Sequence, residues 1–404
     1  MPPTADPSAR PLTLMLVCGE PSGDQLGAQL MDGLGVIAGE RIKIVGVGGA
    51  EMSARGLQSL FPLDDTAVMG LREVVPRIPA ILRRVREASD FALAVKPDAV
   101  VLIDSPDFTH RIAQRLKRRD PTIVTINYVA PQVWASRQYR ARKMARYFDL
   151  VLALLPFEVP FFERHGLRAV FVGHPVVERA ALLHGGAELR ARLGISPDAP
   201  VLAVLPGSRL SEVRPLMPRF RGAVRIVART HPALVCILPA VAHVEREVRA
   251  LAADWPVPLH IVTGAADKFA AFDTANVALA ASGTVTTELA LSRTPMVVGY
   301  HLGWLTYGLM RPFIRVKYIT LANVILDRLA VPELIQQDCT PENLAAALVP
   351  LIGDESVRAR QRRDLDEAMQ KLGAGAERPS FRAARAILDF LGARTLSAAQ
   401  GREV

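Results

Sequence analysis

No run among the 404 residues stays apolar over the roughly 20 positions that a helix needs to cross a bilayer. The longest candidates are broken by Asp, Pro or Gly. A secretory signal is missing too. The first apolar run, Leu12–Val17, follows a Pro-rich stretch and leads straight into Gly19-Glu20. A cytoplasmic protein is expected. Cysteine is scarce: Cys18, Cys236 and Cys339 lie far apart and match no metal spacing, so no disulfide framework and no thiolate metal site is expected. The eight histidines likewise form no metal-like spacing. Aromatic residues make up only 6% of the chain and no RNP-like motif occurs, which argues against nucleic acid as a partner.

What is present is core material and positive charge. Half of the residues are hydrophobic, and 404 residues exceed one ordinary core, so two domains are expected. The formal net charge of +9 attracts anions: nucleic acid, an anionic membrane surface or phosphorylated small molecules.

Strand and helix signals alternate. Apolar runs at Leu12–Cys18, Ile42–Val47, Ala99–Ile103, Thr122–Val129 and Leu150–Leu154 read as buried parallel strands. Helical stretches at Gln25–Leu34, Ile81–Val95 and Arg111–Lys117 fall between them. The pattern pauses over 177–200, which is charged, carries Gly185-Gly186 and reads as an interdomain segment. It restarts with strands at Val201–Leu205, Ala233–Leu238, His260–Val262, Val277–Ala280 and Met296–Tyr300, and a helix at Leu216–Thr230. The expectation is an α/β chain of two doubly wound, Rossmann-like domains, over 11–176 and 200–350, with helices over 355–395. The helical stretch Ser380–Leu391 would return to the N-terminal domain or pack on a second subunit of a homodimer.

In open parallel sheets ligands bind beyond the carboxyl ends of the strands, so the residues just after each strand are where chemistry is sought. Gly19–Asp24 (GEPSGD) permits a tight turn into a helix that Ser22 or Asp24 can cap, but it is not a dinucleotide fingerprint. Asp104–Phe108 (DSPDF) puts two carboxylates near one strand end. Asp104, ending the strand directly, is the better general base, while Asp107 can equally cap the next helix. In Leu205–Glu212 (LPGSRLSE), Gly207 lets backbone approach a ligand, Ser208 offers a hydroxyl, and Arg209 supplies a planar fork suited to phosphate; Glu212 could pair with Arg209 instead. Ser282–Glu288 (SGTVTTE) opens a helix whose first N–H groups, with Ser282, Gly283 and Thr284, form a phosphate cradle. Glu288 could accept from ribose hydroxyls or complement the helix start. His174 ends a further strand, where a structural hydrogen-bonding role competes with a ligand role.

These loops, in this order, resemble the lipid-A-disaccharide synthase family, inverting glycosyltransferases of the GT-B fold. The resemblance rests on GEPSGDQLGA at 19–28, IDSPDF at 103–108, YVAPQVWASRQ at 128–138, LPFE at 155–158, FVGHP at 171–175 and LPGSRLSEV at 205–213. It continues through ASGTVTTELAL at 281–291, PMVVGY at 295–300, YITLANVI at 318–325 and VPELIQ at 331–336. It implies two domains facing a cleft, acceptor in the first and nucleotide sugar in the second, with no metal and no cofactor. The implied donor is UDP-2,3-diacylglucosamine, the acceptor 2,3-diacylglucosamine 1-phosphate, and the products the β-1,6-linked lipid A disaccharide phosphate and UDP. Asp104 would be the base and Arg209 would stabilise departing UDP. Ser208, Ser282, Gly283, Thr284, Glu288 and Asn323 would bind the donor. Glu20, Ser22, Asp107, Gln132 and His174 would border the acceptor or the cleft. The chain departs from the family at Ala130-Pro131-Gln132, where Ser-Pro-Ser is more usual, at Ser136, where Trp is common, and after Asn323, where Val-Ile-Leu-Asp replaces Leu-Leu-Ala-Gly.

Acylated substrates imply contact with the inner membrane. The stretches 68–86 and 304–318 mix apolar residues with Arg and Lys, as suits peripheral docking on anionic lipid, though each could be a core helix with a solvated basic face. Competing readings are a UDP-sugar 2-epimerase, another N-acetylglucosamine transferase, and a non-catalytic lipid or nucleotide carrier.

Overall fold

A computed structural model describes residues 11–66, 71–134, 138–301 and 317–400, with side chains described throughout these ranges except at 71–77 and 395–400. Twelve strands occur among them: β1 Leu12–Cys18, β2 Ile42–Val47, β3 Ala99–Ile103, β4 Thr125–Tyr128, β5 Leu150–Ala153, β6 Ala169–Phe171, β7 Val201–Leu205, β8 Val235–Ala240, β9 Leu259–Thr263, β10 Val277–Ala281, β11 Met296–Tyr300 and β12 Glu333–Ile335. The helices are α1 Pro21–Ala38, α2 Ala50–Ser53, α3 Leu71–Val95, α4 Pro106–Arg119, α5 Tyr139–Met144, α6 Glu158–Glu163, α7 Gly186–Arg192, α8 Leu210–Val227, α9 Glu245–Leu251, α10 Ala265–Thr274, α11 Thr284–Leu291, α12 Leu321–Leu326, α13 Pro341–Gly353, α14 Glu355–Lys371 and α15 Pro379–Gln400. Helix α3 starts ten residues before its expected start and runs through Pro76 and Pro79.

The chain forms two compact units, one of residues 1–175 with 376–404, the other of 176–375. Each holds a six-stranded, all-parallel sheet, in the orders β2-β1-β3-β4-β5-β6 and β12-β11-β10-β7-β8-β9. Strands buried on both faces must be apolar along their whole length. Hence β3, β7 and β10 read as unbroken runs of Leu, Val, Ile and Ala, and β1 adds only Thr13, Met15 and Cys18 to such a run. One face of the first sheet packs on Phe108, Ile112 and Leu116 of α4, and the other on Leu26, Leu30 and Leu34 of α1. The final helix α15 joins that second face through Ala383, Ala384, Ile387 and Leu391. It approaches α1 so closely that a Cβ on Gly33 would stand 2.8 Å from the carbonyl oxygen of Ser380.

The segment 177–200 is not a free linker. Leu189 and Ile195 join a core cluster with Val201, Ile237 and Ala271, and the Gly186 N–H donates to Asp273 at 2.9 Å. Its charges concealed two apolar anchors. The helices expected over 355–395 are also divided: α14 lies in the second unit and α15 in the first.

Strand order reverses between β1 and β3 in the first sheet, and between β7 and β10 in the second. Helical crossovers leave in opposite directions there, opening a crevice at the carboxyl ends of the two strands. The loops that begin at Gly19, Asp104, Pro206 and Ser282 therefore flank the two switch points.

Candidate active site

At the switch point of the first unit, Asp104 and Ser105 adopt consecutive left-handed conformations, with φ of 54° and 44°. Non-glycine residues rarely sit there, and such strain clusters where a backbone must aim a functional side chain. Hydrogen bonds hold the bend. The Asp104 N–H donates to Tyr128 O at 2.9 Å, and Thr109 Oγ1 donates to Asp104 O at 2.6 Å. The Asp104 carboxylate is held on both oxygens: the Ser105 N–H donates to Oδ1 at 2.8 Å, and Ser22 Oγ donates to Oδ2 at 3.0 Å. Gly19 is required by this packing, since a Cβ on it would meet Ser105 Cβ at 2.8 Å.

Glu20 precedes α1 beside this carboxylate. Burial, followed by the charges of Asp104 and then Asp107, raises its pKa above the ordinary glutamate value, against a hydrogen bond from Ser105. The structure thus gathers Glu20, Ser22 and Asp104. Two helix-capping expectations give way. Ser22 turns to Asp104, and Asp24 is buried with Oδ1 accepting from Gly49 N at 2.7 Å and Met52 N at 3.1 Å. Asp24 therefore caps α2, not its own helix. Asp107 is not the cap of α4 either: Ser105 holds that position, and Asp107 lies exposed in the first turn, where its charge still favours the helix start. Gln132 is exposed, and half-buried His174 follows β6 after Gly173, whose φ is 96°. Ser136 lies outside the described residues, as does most of 304–318.

At the switch point of the second unit lies a cavity of ≈ 660 Å³, lined by Gly207, Ser208, Arg209, Glu212, Lys268, Ser282, Gly283, Thr284, Glu288 and Tyr300 among others. The two loops singled out in the sequence are its opposite walls. Gly207, with φ of 111°, lets the chain turn after β7. Glu212 then fastens the loop: Ser208 N and Arg209 N donate to its Oε2 at 3.1 and 3.3 Å, and Arg209 Nη1 lies 3.5 Å from its Oε1. His243 Nε2 pairs with Ser208 O at 2.7 Å. The N–H groups of Ser208 and Arg209 are engaged by Glu212, which leaves the side chains of these two residues to face a ligand. Arg209 remains largely exposed, free to reach an anion. Across the cavity α11 presents its first N–H groups, which have no partner within a helix.

Glu288 is only 3% exposed. It does not serve the helix start. Its carboxylate accepts from Lys268 Nζ at 3.0 and 2.9 Å and from Arg179. Sequence reasoning missed Arg179, Lys268 and His243. Lys268 lies in the first turn of the helix that follows β9, a detectable signal, whereas Arg179 is 109 residues from its partner and lies in the segment read as a linker. Asn323 is fully buried and not among the residues lining the cavity. Its Nδ2 donates to Val331 O and Glu333 Oε1, and its Oδ1 accepts from Ala330 N and Val331 N, all at 2.8 Å. All four hydrogen-bonding positions of its side chain are engaged in holding the 330–333 strand entry.

The family model described as lipid-A-disaccharide synthetase matches residues 14–387. A lipid-A-disaccharide synthase of Rhodospirillum centenum (strain ATCC 51521 / SW) is 48% identical over 393 residues, covering 97% of this chain and 98% of its own. One of Paramagnetospirillum magneticum (strain ATCC 700264 / AMB-1) is 44% identical over 382 residues, covering 94% and 98%. Among solved structures, the UDP-GlcNAc 2-epimerase from Neisseria meningitidis bound to UDP-GlcNAc superimposes with a TM-score of 0.60 at 12% identity, covering 95% of this chain and 99% of that one. That likeness speaks for the fold alone: two doubly wound units of the GT-B type.

Proposed function

This chain belongs to the lipid-A-disaccharide synthetase family, and we propose that it joins UDP-2,3-diacylglucosamine to 2,3-diacylglucosamine 1-phosphate, giving the β-1,6-linked lipid A disaccharide 1-phosphate and UDP. The observation that carries this reading is the cavity of the second unit, which meets a nucleotide diphosphate with Arg209, Ser208 and the start of α11.

In this reading Asp104 accepts the proton of the acceptor 6-hydroxyl. The freed oxygen attacks the donor anomeric carbon from the face opposite UDP. The bond from that carbon to the β-phosphate oxygen breaks, and its electron pair leaves with UDP. Charge grows on the diphosphate as the bond lengthens, and the guanidinium of Arg209 offsets it, with Ser208, Ser282, Gly283 and Thr284 donating alongside. Glu288 receives the ribose hydroxyls with its orientation set by Lys268 and Arg179. Asn323 acts by holding β12 in place. Glu20, Ser22, Asp107, Gln132 and His174 border the acceptor.

Both substrates carry acyl chains, and the enzyme reaches them as a peripheral protein at the cytoplasmic face of the inner membrane. No helix among the described residues is long and apolar enough to cross a membrane. On α3, Ile78 is 44% and Leu82 36% exposed, one turn apart, with exposed Arg83 and Arg86 on the same helix. Apolar anchors beside cations suit an anionic lipid surface.

The test is UDP release on mixing both lipid substrates with the purified protein, with the product linkage determined. UDP formation that requires both lipids, with a β-1,6 product, supports the reading. A UDP-sugar altered at C2 without any acceptor would replace it with the epimerase reading, and binding without turnover with the carrier reading.

A further inference from the structure

The first unit contains a second cavity, of ≈ 320 Å³, between the start of α4 and helix α5. Arg111 of α4 and Arg140 and Lys143 of α5 line it, together with one carboxylate, that of Asp107. Among the described residues none of the three cations forms a salt bridge. Arg111 Nε donates to a backbone oxygen, Asp107 O, at 2.8 Å, and Lys143 Nζ lies over the Tyr139 ring, 5.6 Å from its centroid. Other arginines of this chain behave differently: Arg84 holds both Asp65 and Glu87, and Arg328 holds both Asp364 and Glu367. Three cations gathered round a hollow repel one another, and that arrangement is relieved by an anion from outside the chain. The wall behind them adds no charge. Buried His110 pairs through Nδ1 with the Tyr147 hydroxyl at 3.2 Å and is kept neutral by burial and by the nearby charge of Arg140, its pKa pushed down to about 4.

We propose that this cavity binds a phosphomonoester, and that in turnover its occupant is the 1-phosphate of the sugar acceptor. Two guanidinium forks and an ammonium match the phosphate oxygens, and an uncharged hydroxyl would leave them unpaired. The location fits. Asp107 on the cavity wall is three residues beyond Asp104, and three residues of chain span at most ~11 Å, the compass of one phosphorylated sugar. A sugar with its 6-hydroxyl at Asp104 can place its opposite end here. The assignment of the occupant rests on the transfer reaction proposed above; the binding of a phosphomonoester does not.

The experiment compares the full chain with a double variant, Arg140→Gln with Lys143→Gln, both at residues outside the hydrophobic core. Expected is an acceptor KM raised at least ~10-fold, an unchanged KM for the UDP donor, and collapse of the preference for the phosphorylated acceptor over its dephosphorylated form. Arg140→Lys, which keeps the charge, should retain most of that preference. Unchanged acceptor KM and preference in a folded double variant would overturn the proposal. Sedimentation with anionic phospholipid vesicles separates the two sources of phosphate: it should be unaltered, whereas loss of vesicle binding with the acceptor preference intact would assign the cavity to a lipid headgroup and overturn the acceptor assignment. Thermal melts with glucosamine 1-phosphate need no turnover. Wild type should be stabilised and the double variant not. If wild type transfers no sugar yet is stabilised, the transfer reading fails alone; if glucosamine 1-phosphate and inorganic phosphate both leave it unmoved, the cavity proposal fails.

Discussion

The hydroxyl of Ser22 donates to Oδ2 of Asp104 across 82 residues of sequence, at 3.0 Å. It joins the first turn of α1 to the loop after β3, on the two sides of the switch point, and fixes one oxygen of the carboxylate proposed as the base. Replacing Asp104 with Asn keeps the shape and removes the proposed base, so kcat should fall ~10²–10⁴-fold. Ser22→Ala should cost far less, because the Ser105 N–H still holds Oδ1. Steady-state UDP release checks both, and near-wild-type turnover by Asp104→Asn would exclude it as the base.

Arg209→Ala removes the exposed cation of the cavity proposed to hold the donor, while leaving Glu212 bonded to the N–H groups of Ser208 and Arg209. Turnover should drop by ~10²–10³, with the donor KM less affected, because the charge it meets is greatest as UDP departs. An equal loss in KM and none in kcat would reduce Arg209 to a ground-state contact.

Lys268→Met should raise the donor KM by ~10–100-fold through disorientation of Glu288, the range expected for a charged hydrogen bond. Glu288→Gln should also destabilise the fold. The cations it abandons are about one-third exposed, so the cost is about 1–3 kcal/mol, below that of a fully buried pair. Isothermal titration with UDP, alongside chemical denaturation, separates the two effects.

Glu158 gives a pH signature. It is buried and accepts from Trp134 Nε1 at 3.1 Å and Leu155 N at 3.0 Å, yet burial outweighs these bonds and raises its pKa to about 7. The folded state then holds a proton that the unfolded state releases near 4.5. Stability from this group is full below pH ~4.5, falls as pH rises and is lost above ~7, by about 3 kcal/mol in all. Glu158→Gln should remove that slope. His110 runs oppositely between pH ~6.5 and ~4, because its neutral form is the one the fold favours. Denaturation of wild type and variant from pH 5 to 8 reads the difference, and parallel curves would show that Glu158 does not titrate there.

Ile78→Ser with Leu82→Ser should weaken partitioning to anionic vesicles by more than ~10-fold, as two partly inserted aliphatic side chains contribute about 2 kcal/mol. Salt should weaken the remainder. Sedimentation insensitive to both changes would remove α3 from the docking surface.

The doubly wound architecture was legible because parallel strands buried on both faces must be apolar throughout, and the loops that matter were legible because such sheets put ligands at strand ends. Asp104, Ser208, Arg209 and Ser282 all came from that one rule. What it could not supply were partners brought together by tertiary folding. Nothing near Glu288 in sequence announces Arg179, and nothing near Asp24 announces the α2 turn it caps. Asn323 shows the opposite difficulty, since a polar residue in a family motif can hold backbone together without lining the ligand cavity. Ser105, not Asp107, stands at the N-cap position of α4 because Pro106 starts the helix earlier than its periodic apolar positions suggest.

The last helix has a consequence for the order in which the molecule is made. Residues 1–175 contain every strand of the first sheet, but Ala383, Ala384, Ile387 and Leu391 complete one of its faces. A nascent chain of 175 residues therefore carries a nearly finished layer with a strip of Leu and Ile still wet. The second unit, contiguous over 176–375, can close while that strip waits. The part translated first is the part completed last, and a stop codon anywhere between the two units would leave a fragment with an apolar seam that helix α15 covers in the full chain.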